Sequence, residues 1–363
     1  MTTRCFEVRK DDPAETRWVD DPQGLQDGQV RCAVDLCALT ANNVTYAVMA
    51  ERFGYFRYYP AADDGWGRVP VWGFAEVKET CHPDIEAGER LYGYWPMGEV
   101  ATLTPGKVAE GRFSDESPHR EGLPQAYNDY ARLGVHPDTS GEAYRALFYP
   151  LAGTSYGLAD YLAGMDFLGA GQIVCTAASS KTALGTAMLL AEREGAPPVL
   201  GLTSERNAKP TKRVGAYKSV ATYDDLAALD DGVPTVIVDF AGDGALSARL
   251  HERFGPCLLR NVVVGAAHPD AERRAPGMND ERTELFFMPG YAAERMKATG
   301  GRFVSEMREA AGRVAEDASG WMRLAEARTE EEIEDLWRRV LRGELGPDEG
   351  GVVHLSRQGR GTR

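Results

Sequence analysis

The chain has 363 residues, 43% hydrophobic and 26% charged, with a formal net charge of −14. That length predicts two domains, each with its own core. A surface this acidic repels phosphate backbones and anionic headgroups, so the expected partner is a small-molecule substrate, with no nucleic acid and no membrane.

No run of about 18 apolar residues is present, and charges interrupt the first ten residues where a signal core would lie. A cytoplasmic protein is expected. Cys5, Cys32, Cys37, Cys81, Cys175 and Cys257 form no Cys-x-x-Cys pair. Scattered cysteines predict free thiols in a reducing compartment and no metal site.

The chain opens as strands. Residues 29–36 alternate, with Val30, Cys32, Val34 and Leu36 on one face, the period of a half-buried strand. Residues 69–77 and 90–94 are further short runs, and the first domain reads as β-rich. Before them, residues 50–59 are dense in tyrosine and arginine. This stretch reads either as a source of catalytic hydroxyls or as an aromatic loop that packs over a pocket, or at a homodimer interface. Residues 110–139 are polar and rich in Pro, Gly and charge, which predicts a long loop or insertion. A helix follows over 150–165, with Leu151, Tyr156, Leu158, Ala159 and Leu162 inward.

From residue 172 strands and helices alternate. Strands are expected at 172–176, 199–203, 218–222, 235–240, 261–265 and 283–288. Helices are expected at 181–194, 207–214, 224–229 and 244–254, with Gly195 and Gly215 as stops. Parallel strands need crossover connections, so the alternation predicts βαβ units and a Rossmann-type nucleotide-binding half. Helices at 301–315 and 330–342 and a strand at 351–355 end the chain. The fold class is α/β.

A mononucleotide fold turns sharply after its first strand and offers helix N-terminal amides to a pyrophosphate. Here that turn, residues 177–185, reads Ala-Ala-Ser-Ser-Lys-Thr-Ala-Leu-Gly, without the Gly-x-Gly-x-x-Gly series. Ser179, Ser180 and Thr182 bring hydroxyls and Lys181 a cation. The alternative is that Ser179 or Ser180 only caps the helix. The order Ser-Lys-Thr without its glycines does not make a P-loop. After the second strand, Thr203, Ser204 and Arg206 suit the 2′-phosphate of NADPH, while Glu205 would suit the free ribose of NADH.

The ordered series of short motifs resembles the medium-chain dehydrogenase/reductase superfamily, in particular its zinc-independent quinone oxidoreductases and enoyl reductases. The stretch Asp-Leu-Cys-Ala-Leu-Thr-Ala-Asn-Asn at 35–43 is similar to the segment that carries a substrate-pocket asparagine, here Asn42. Trp-Gly-Phe-Ala-Glu-Val at 72–77, Ala-Gly-Glu-Arg-Leu-Tyr-Gly at 87–93 and Lys-Arg-Val-Gly-Ala at 212–216 follow in the family's order. So do Val-Asp-Phe-Ala-Gly at 238–242 and Gly-Gly-Val-Val at 350–353.

The resemblance implies a β-rich, GroES-like catalytic domain (1–143 and 291–363) around a nucleotide-binding domain (144–290). It implies NADPH as cofactor, with Tyr223 near the adenosine phosphate and Gly265 as a further contact. Tyr55, just after Gly54, resembles the proton donor of enoyl reductases, with Tyr46 and Tyr59 as competitors. The catalytic-zinc ligands of the alcohol dehydrogenases are missing, as is their four-cysteine lobe. The implied activity is NADPH-dependent reduction of a carbonyl or activated alkene. The alternative is an enzyme or nucleotide-binding protein of this fold that has lost hydride transfer.

Overall fold

The computed structural model describes residues 3–22, 24–264 and 276–355. The chain divides into two units. One comprises Met1–Leu147, Met322–Leu345 and Glu349–Arg363, the other Phe148–Trp321 and Gly346–Asp348.

The first unit is built on the strand Val30–Leu39, whose Val30, Cys32 and Val34 are fully buried at every second position. The alternation predicts Leu36 on the same face, but a bulge intervenes. Val34 pairs with Ala75 and Leu36 with Phe74, the next residue back, so Asp35 is the extra residue. An extra residue shifts every later side chain to the other face. Leu36 is therefore left partly exposed, and Cys37 and Leu39 carry the core onward. Strand Pro70–Thr80 pairs antiparallel with this one, and Glu89–Pro96 pairs with Pro70–Thr80. On the other side Glu349–His354 pairs with Val30–Leu39 and, in parallel, with Arg323–Ala327.

Residues 110–139, predicted as a loop, extend this sheet. Strands Arg112–Asp115 and Asp129–Val135 pair with each other, and the second pairs with Glu89–Pro96. Phe113 and Tyr130 are fully buried and stack at 5.4 Å. One aromatic per short strand is too little periodicity to read from sequence. The hairpin of Arg4–Arg9 with Thr16–Asp20 and the helix Ala41–Val48 were likewise not predicted. That helix starts at a capping box of Thr40 and Asn43.

The second unit is a six-stranded parallel sheet. Its order is Ser219–Thr222, Val199–Thr203, Gln172–Cys175, Thr235–Asp239, Leu258–Val264 and Thr283–Phe286. The first strand in the chain lies third, with later strands added on both its sides. The helices Lys181–Ala191 and Gly244–Phe254 follow the prediction. Residues 224–229 form only the 3-10 turn Leu226–Ala228, because six residues offer few hydrogen bonds against the cost of nucleation. The helix expected at 150–165 spans Glu142–Gly164, with Pro150 inside it.

Residues 291–321, expected with the β-rich domain, belong to this second unit as parts of the helices Met288–Thr299 and Arg302–Ser319. Specific contacts hold them there. Asp160 accepts from Tyr291 at 2.6 Å and Arg295 at 2.7 Å, and Phe303 packs on Tyr156 with ring centres 5.4 Å apart. Among the described residues no helix is long and apolar enough to cross a membrane, and no three His, Cys, Asp or Glu side chains converge as metal ligands would.

Two glycines test the packing of the β-rich sheet. Gly73 and Gly93 pair across neighbouring strands. A Cβ on Gly73 would stand 2.1 Å from the Leu36 carbonyl oxygen, and one on Gly93 would stand 2.2 Å from the Tyr130 ring. Backbone cannot yield as a side chain can, so Gly73→Ala is expected to cost about 3 kcal/mol. Gly312, inside the helix Arg302–Ser319, would meet nothing within 4 Å. Gly312→Ala is therefore expected to add about 0.5–1 kcal/mol. Denaturant unfolding of the two variants checks both signs.

Candidate functional site

The turn after Gln172–Cys175 keeps its shape without the usual glycines. Ala177 adopts φ of 42°, the left-handed region, at a cost of roughly 1–2 kcal/mol for a residue with a Cβ. Hydrogen bonds hold it there. Ala177 N–H donates to the Tyr223 hydroxyl at 3.2 Å, and Ala178 N–H donates to the Leu202 carbonyl at 3.1 Å. The Ala178 carbonyl accepts from the Tyr217 hydroxyl at 2.9 Å.

Behind the turn, the buried carboxylate of Asp239 accepts from Thr176 Oγ1 at 2.6 Å and Ser247 Oγ at 2.9 Å. It also accepts from the amides of Ala241 and Gly242 at 3.0 and 3.2 Å. Gly185 on the helix Lys181–Ala191 lets the helix Glu142–Gly164 come close, since a Cβ there would lie 3.0 Å from Ser155 Oγ.

The hydroxyls are less free than the sequence suggests. Ser180 is the N-cap of Lys181–Ala191 and accepts from the Ala183 amide at 3.3 Å, so its capping reading holds. Ser179 Oγ accepts from Thr203 Oγ1 and Asn207 Nδ2, both at 3.2 Å. What faces the strand ends is the first helical turn itself, with Lys181 and Thr182 partly buried on it. Helix N-terminal amides attract an anion there.

One strand over, Ser204 is the N-cap of Glu205–Val214 but makes no side-chain cap bond, and Arg206 and Lys209 are exposed on that helix. These groups can meet a second phosphate. Burial, opposed by hydrogen bonding with Ala177 and Thr203, raises the pKa of Tyr223, so its hydroxyl stays protonated. Gly265 lies outside the described residues. Tyr217 and Asn207 support the turn, yet nothing in their sequence neighbourhood marks them.

In the first unit, Asn42, Tyr46 and Tyr55 meet in an aromatic cluster. Asn42 and Tyr46 lie one turn apart on the helix Ala41–Val48, and Asn42 Nδ2 donates to the Tyr46 hydroxyl at 2.7 Å. Trp72 Nε1 donates to the same oxygen at 3.2 Å. Tyr46 and Tyr55 rings lie 4.6 Å apart, and Tyr127 joins both, with ring centres 6.2 and 6.0 Å away.

Gly54, at φ of 74°, ends the preceding helical turn and releases Tyr55. The segment predicted as an insertion clamps this stretch. Arg57 donates to the Glu121 carbonyl at 2.9 Å, and His119 Nε2 lies 3.1 Å from the Tyr58 carbonyl. Tyr127 comes from that segment, which is why sequence reasoning missed it. Burial pushes the Tyr46 phenol up to about 12 and raises Tyr55 and Tyr127 as well, so all three are protonated near neutral pH.

Tyr59 is placed differently. Its hydroxyl donates to the Tyr94 carbonyl at 2.7 Å and sits 2.8 Å from the Tyr130 hydroxyl, while the Arg120 guanidinium lies 4.7 Å from its ring centre. Arg120 in turn pairs with Asp115 at 2.9 Å, both 1% exposed. Tyr59 thus closes a buried polar network.

The fold of two units, one carrying a parallel sheet and the other β-rich, is shared with solved structures at low sequence identity. CurA from Vibrio vulnificus, solved in complex with NADPH, matches with a TM-score of 0.59 and 14% identity over 98% of this chain and 99% of that one. The quinone oxidoreductase from Coxiella burnetii matches at 0.58 and 14%, over 98% and 100%. A third, the CurF ER cyclopropanase from the curacin A biosynthetic pathway, matches at 0.58 and 12%, over 98% and 100%.

The chain therefore shares its fold with a solved quinone oxidoreductase and the CurK enoyl reductase. It belongs to the family described as "Protein of unknown function (DUF2855)", which matches residues 37–346. No curated protein matches it in sequence.

Removing one hydroxyl separates the two tyrosine environments. Tyr59→Phe deletes a buried donor and is expected to cost about 1–2 kcal/mol of stability. Thermal unfolding of the variant checks that loss.

Proposed function

We propose that the protein is a zinc-independent reductase that uses NADPH to reduce a carbonyl or an activated alkene in a small molecule. The observation that carries this reading is the turn at residues 176–182. It presents a helix N-terminus with Lys181 at the place where the strand order of a parallel sheet reverses, the usual seat of a dinucleotide. The residues fit the group. The first-turn amides and Lys181 would hold the pyrophosphate, and Ser204 and Arg206 would hold the 2′-phosphate. The Tyr223 hydroxyl would border the adenosine side. NADPH, when bound, supplies the hydride. Tyr55 would then give its proton to the reduced substrate, because it is protonated at neutral pH and partly exposed. The CurA complex with NADPH, sharing the fold, supports the choice of cofactor.

Fluorescence titration is expected to show NADPH binding more tightly than NADH. Lys181→Ala should weaken NADPH by roughly 10- to 150-fold, the worth of one charge-assisted hydrogen bond. With NADPH and a panel of enones, aldehydes and quinones, Tyr55→Phe should lower turnover by about 10²–10⁴-fold at unchanged cofactor affinity. Equal affinity for the two dinucleotides would reject the 2′-phosphate assignment. A protein of this fold that has lost hydride transfer would oxidise NADPH with none of the probes.

A further inference from the structure

His251, on the helix Gly244–Phe254 of the second unit, has both its ring nitrogens engaged. The Asn279 backbone N–H donates to Nδ1 at 2.8 Å, and the Asn261 side-chain amide lies 3.0 Å from Nε2. His251 is 5% exposed and Asn261 not at all. A backbone N–H can only donate, so Nδ1 holds a lone pair. A neutral imidazole carries one proton, which therefore sits on Nε2. That proton needs an acceptor, and Asn261 offers one when the oxygen end of its amide faces the ring. The opposite orientation would set two donors against each other and leave the buried Asn261 oxygen with no partner. One tautomer of the neutral ring satisfies this site. An imidazolium carries N–H at both nitrogens, and its Nδ1 proton would face the Asn279 N–H.

Asn279 organises the chain that leads into the last strand of the parallel sheet. Its side chain caps the turn Asp280–Arg282, accepting from the amides of Glu281 at 3.0 Å and Arg282 at 3.3 Å. Its carbonyl accepts from Thr283 Oγ1 at 2.8 Å. Thr283–Phe286 follows directly at the sheet edge, where Leu258–Val264 is its one neighbour among the described residues. A strand with one neighbour opens more readily than a central strand. Arg282 adds a second hold, donating to the Gly255 carbonyl at 2.9 Å.

We propose that His251 is a pH-sensitive latch: neutral, it fixes Asn279 and with it the edge strand Thr283–Phe286; protonated, it releases both. The inference does not depend on the reductase reading. The charged groups that face the ring from neighbouring elements are Asp239, Arg282 and Asp280. Burial, the largest influence, lowers the ring's pKa from its ordinary value; Asp239 and Asp280 oppose that shift, and Arg282 adds to it. Because the latched value is depressed, the hold is complete above the free value of about 6.5 and weakens as the pH falls from there to the latched value. Within that window the open fraction rises by about tenfold per pH unit.

Two measurements on the full chain test the latch. In nitrogen NMR of histidine-labelled protein, the His251 signal is the one absent from His251→Asn or His251→Gln. Its neutral ring should carry the proton on Nε2 and titrate below about 6.5. Hydrogen exchange read by mass spectrometry, corrected for the intrinsic rate, should show the peptide over 279–286 losing protection by about tenfold per pH unit below that value. The peptide over 235–239, in the middle of the same sheet, should keep its protection. His251→Asn supplies a side-chain oxygen in place of Nδ1 but no titrating group, so its protection at 279–286 should not vary across the window.

A proton on Nδ1 of the neutral ring, or titration at or above about 6.5, would overturn the latch even if neither variant folds. So would protection at 279–286 that stays constant across the window in the wild type, or that falls together with that at 235–239. A pH dependence that persists in His251→Asn would assign the effect to another group and overturn it as well.

Discussion

The carboxylate of Asp239 is the point on which the candidate cofactor edge of the second unit depends. It is 2% exposed and gathers four donors from three places, namely Thr176 at the end of one strand, the amides of Ala241 and Gly242 in its own turn, and Ser247 on the next helix. A buried carboxylate tolerates this only when its oxygens are satisfied. That requirement fixes the ends of Gln172–Cys175 and Thr235–Asp239 relative to one another. The chain leaving Thr176 then has to turn at once, and Ala177 takes the left-handed conformation a glycine would take more cheaply. Part of the close approach that glycines usually supply in the turn is supplied one strand away. Gly201 leaves room for Ala178 and Tyr217, which a Cβ would meet at 2.9 and 3.0 Å. The missing glycine series therefore changes the construction of the turn and leaves its direction intact.

The first unit solves a different problem, holding many polar aromatic groups inside an apolar sheet. Its device is the buried Arg120–Asp115 pair. Arg120 donates to the Tyr130 hydroxyl at 3.1 Å, Tyr130 and Tyr59 both donate to the Tyr94 carbonyl, and the Arg120 guanidinium lies 4.7 Å from the Tyr59 ring centre and 5.8 Å from that of Tyr130. A buried charge pair contributes to specificity more dependably than to net stability. Here it anchors the segment between Arg112–Asp115 and Asp129–Val135, which in turn lies against the turn at Tyr55.

Much of the second unit was legible in the sequence because its strands are continuous apolar runs separated by helices with clear stops. Val236, Ile237 and Val238 are fully or almost fully buried, as such a run implies. The position of the turn after Gln172–Cys175 was legible for the same reason. The fate of its hydroxyls was not, because the partners of Ser179 lie 24 and 28 residues away. The β-rich unit was harder. A bulge at Asp35 breaks the alternation halfway along a strand, and Phe113 and Tyr130 are each the single buried aromatic of a short strand, Leu133 and Val135 beside Tyr130 being exposed. Tyr55 and Asn42 were singled out by resemblance. Tyr127, which completes their surroundings, comes from a turn that carries no motif, and Trp72 opens the stretch at 72–77, whose resemblance does not mark the indole as a site group.

The claim that the altered turn still holds a dinucleotide is tested most directly by a crystal structure of the protein grown with NADPH. The account predicts the pyrophosphate at the first-turn amides that follow Ser180, within reach of Lys181, and the 2′-phosphate beside Ser204 and Arg206. A dinucleotide bound elsewhere, or a turn that remains empty at saturating NADPH, would contradict it.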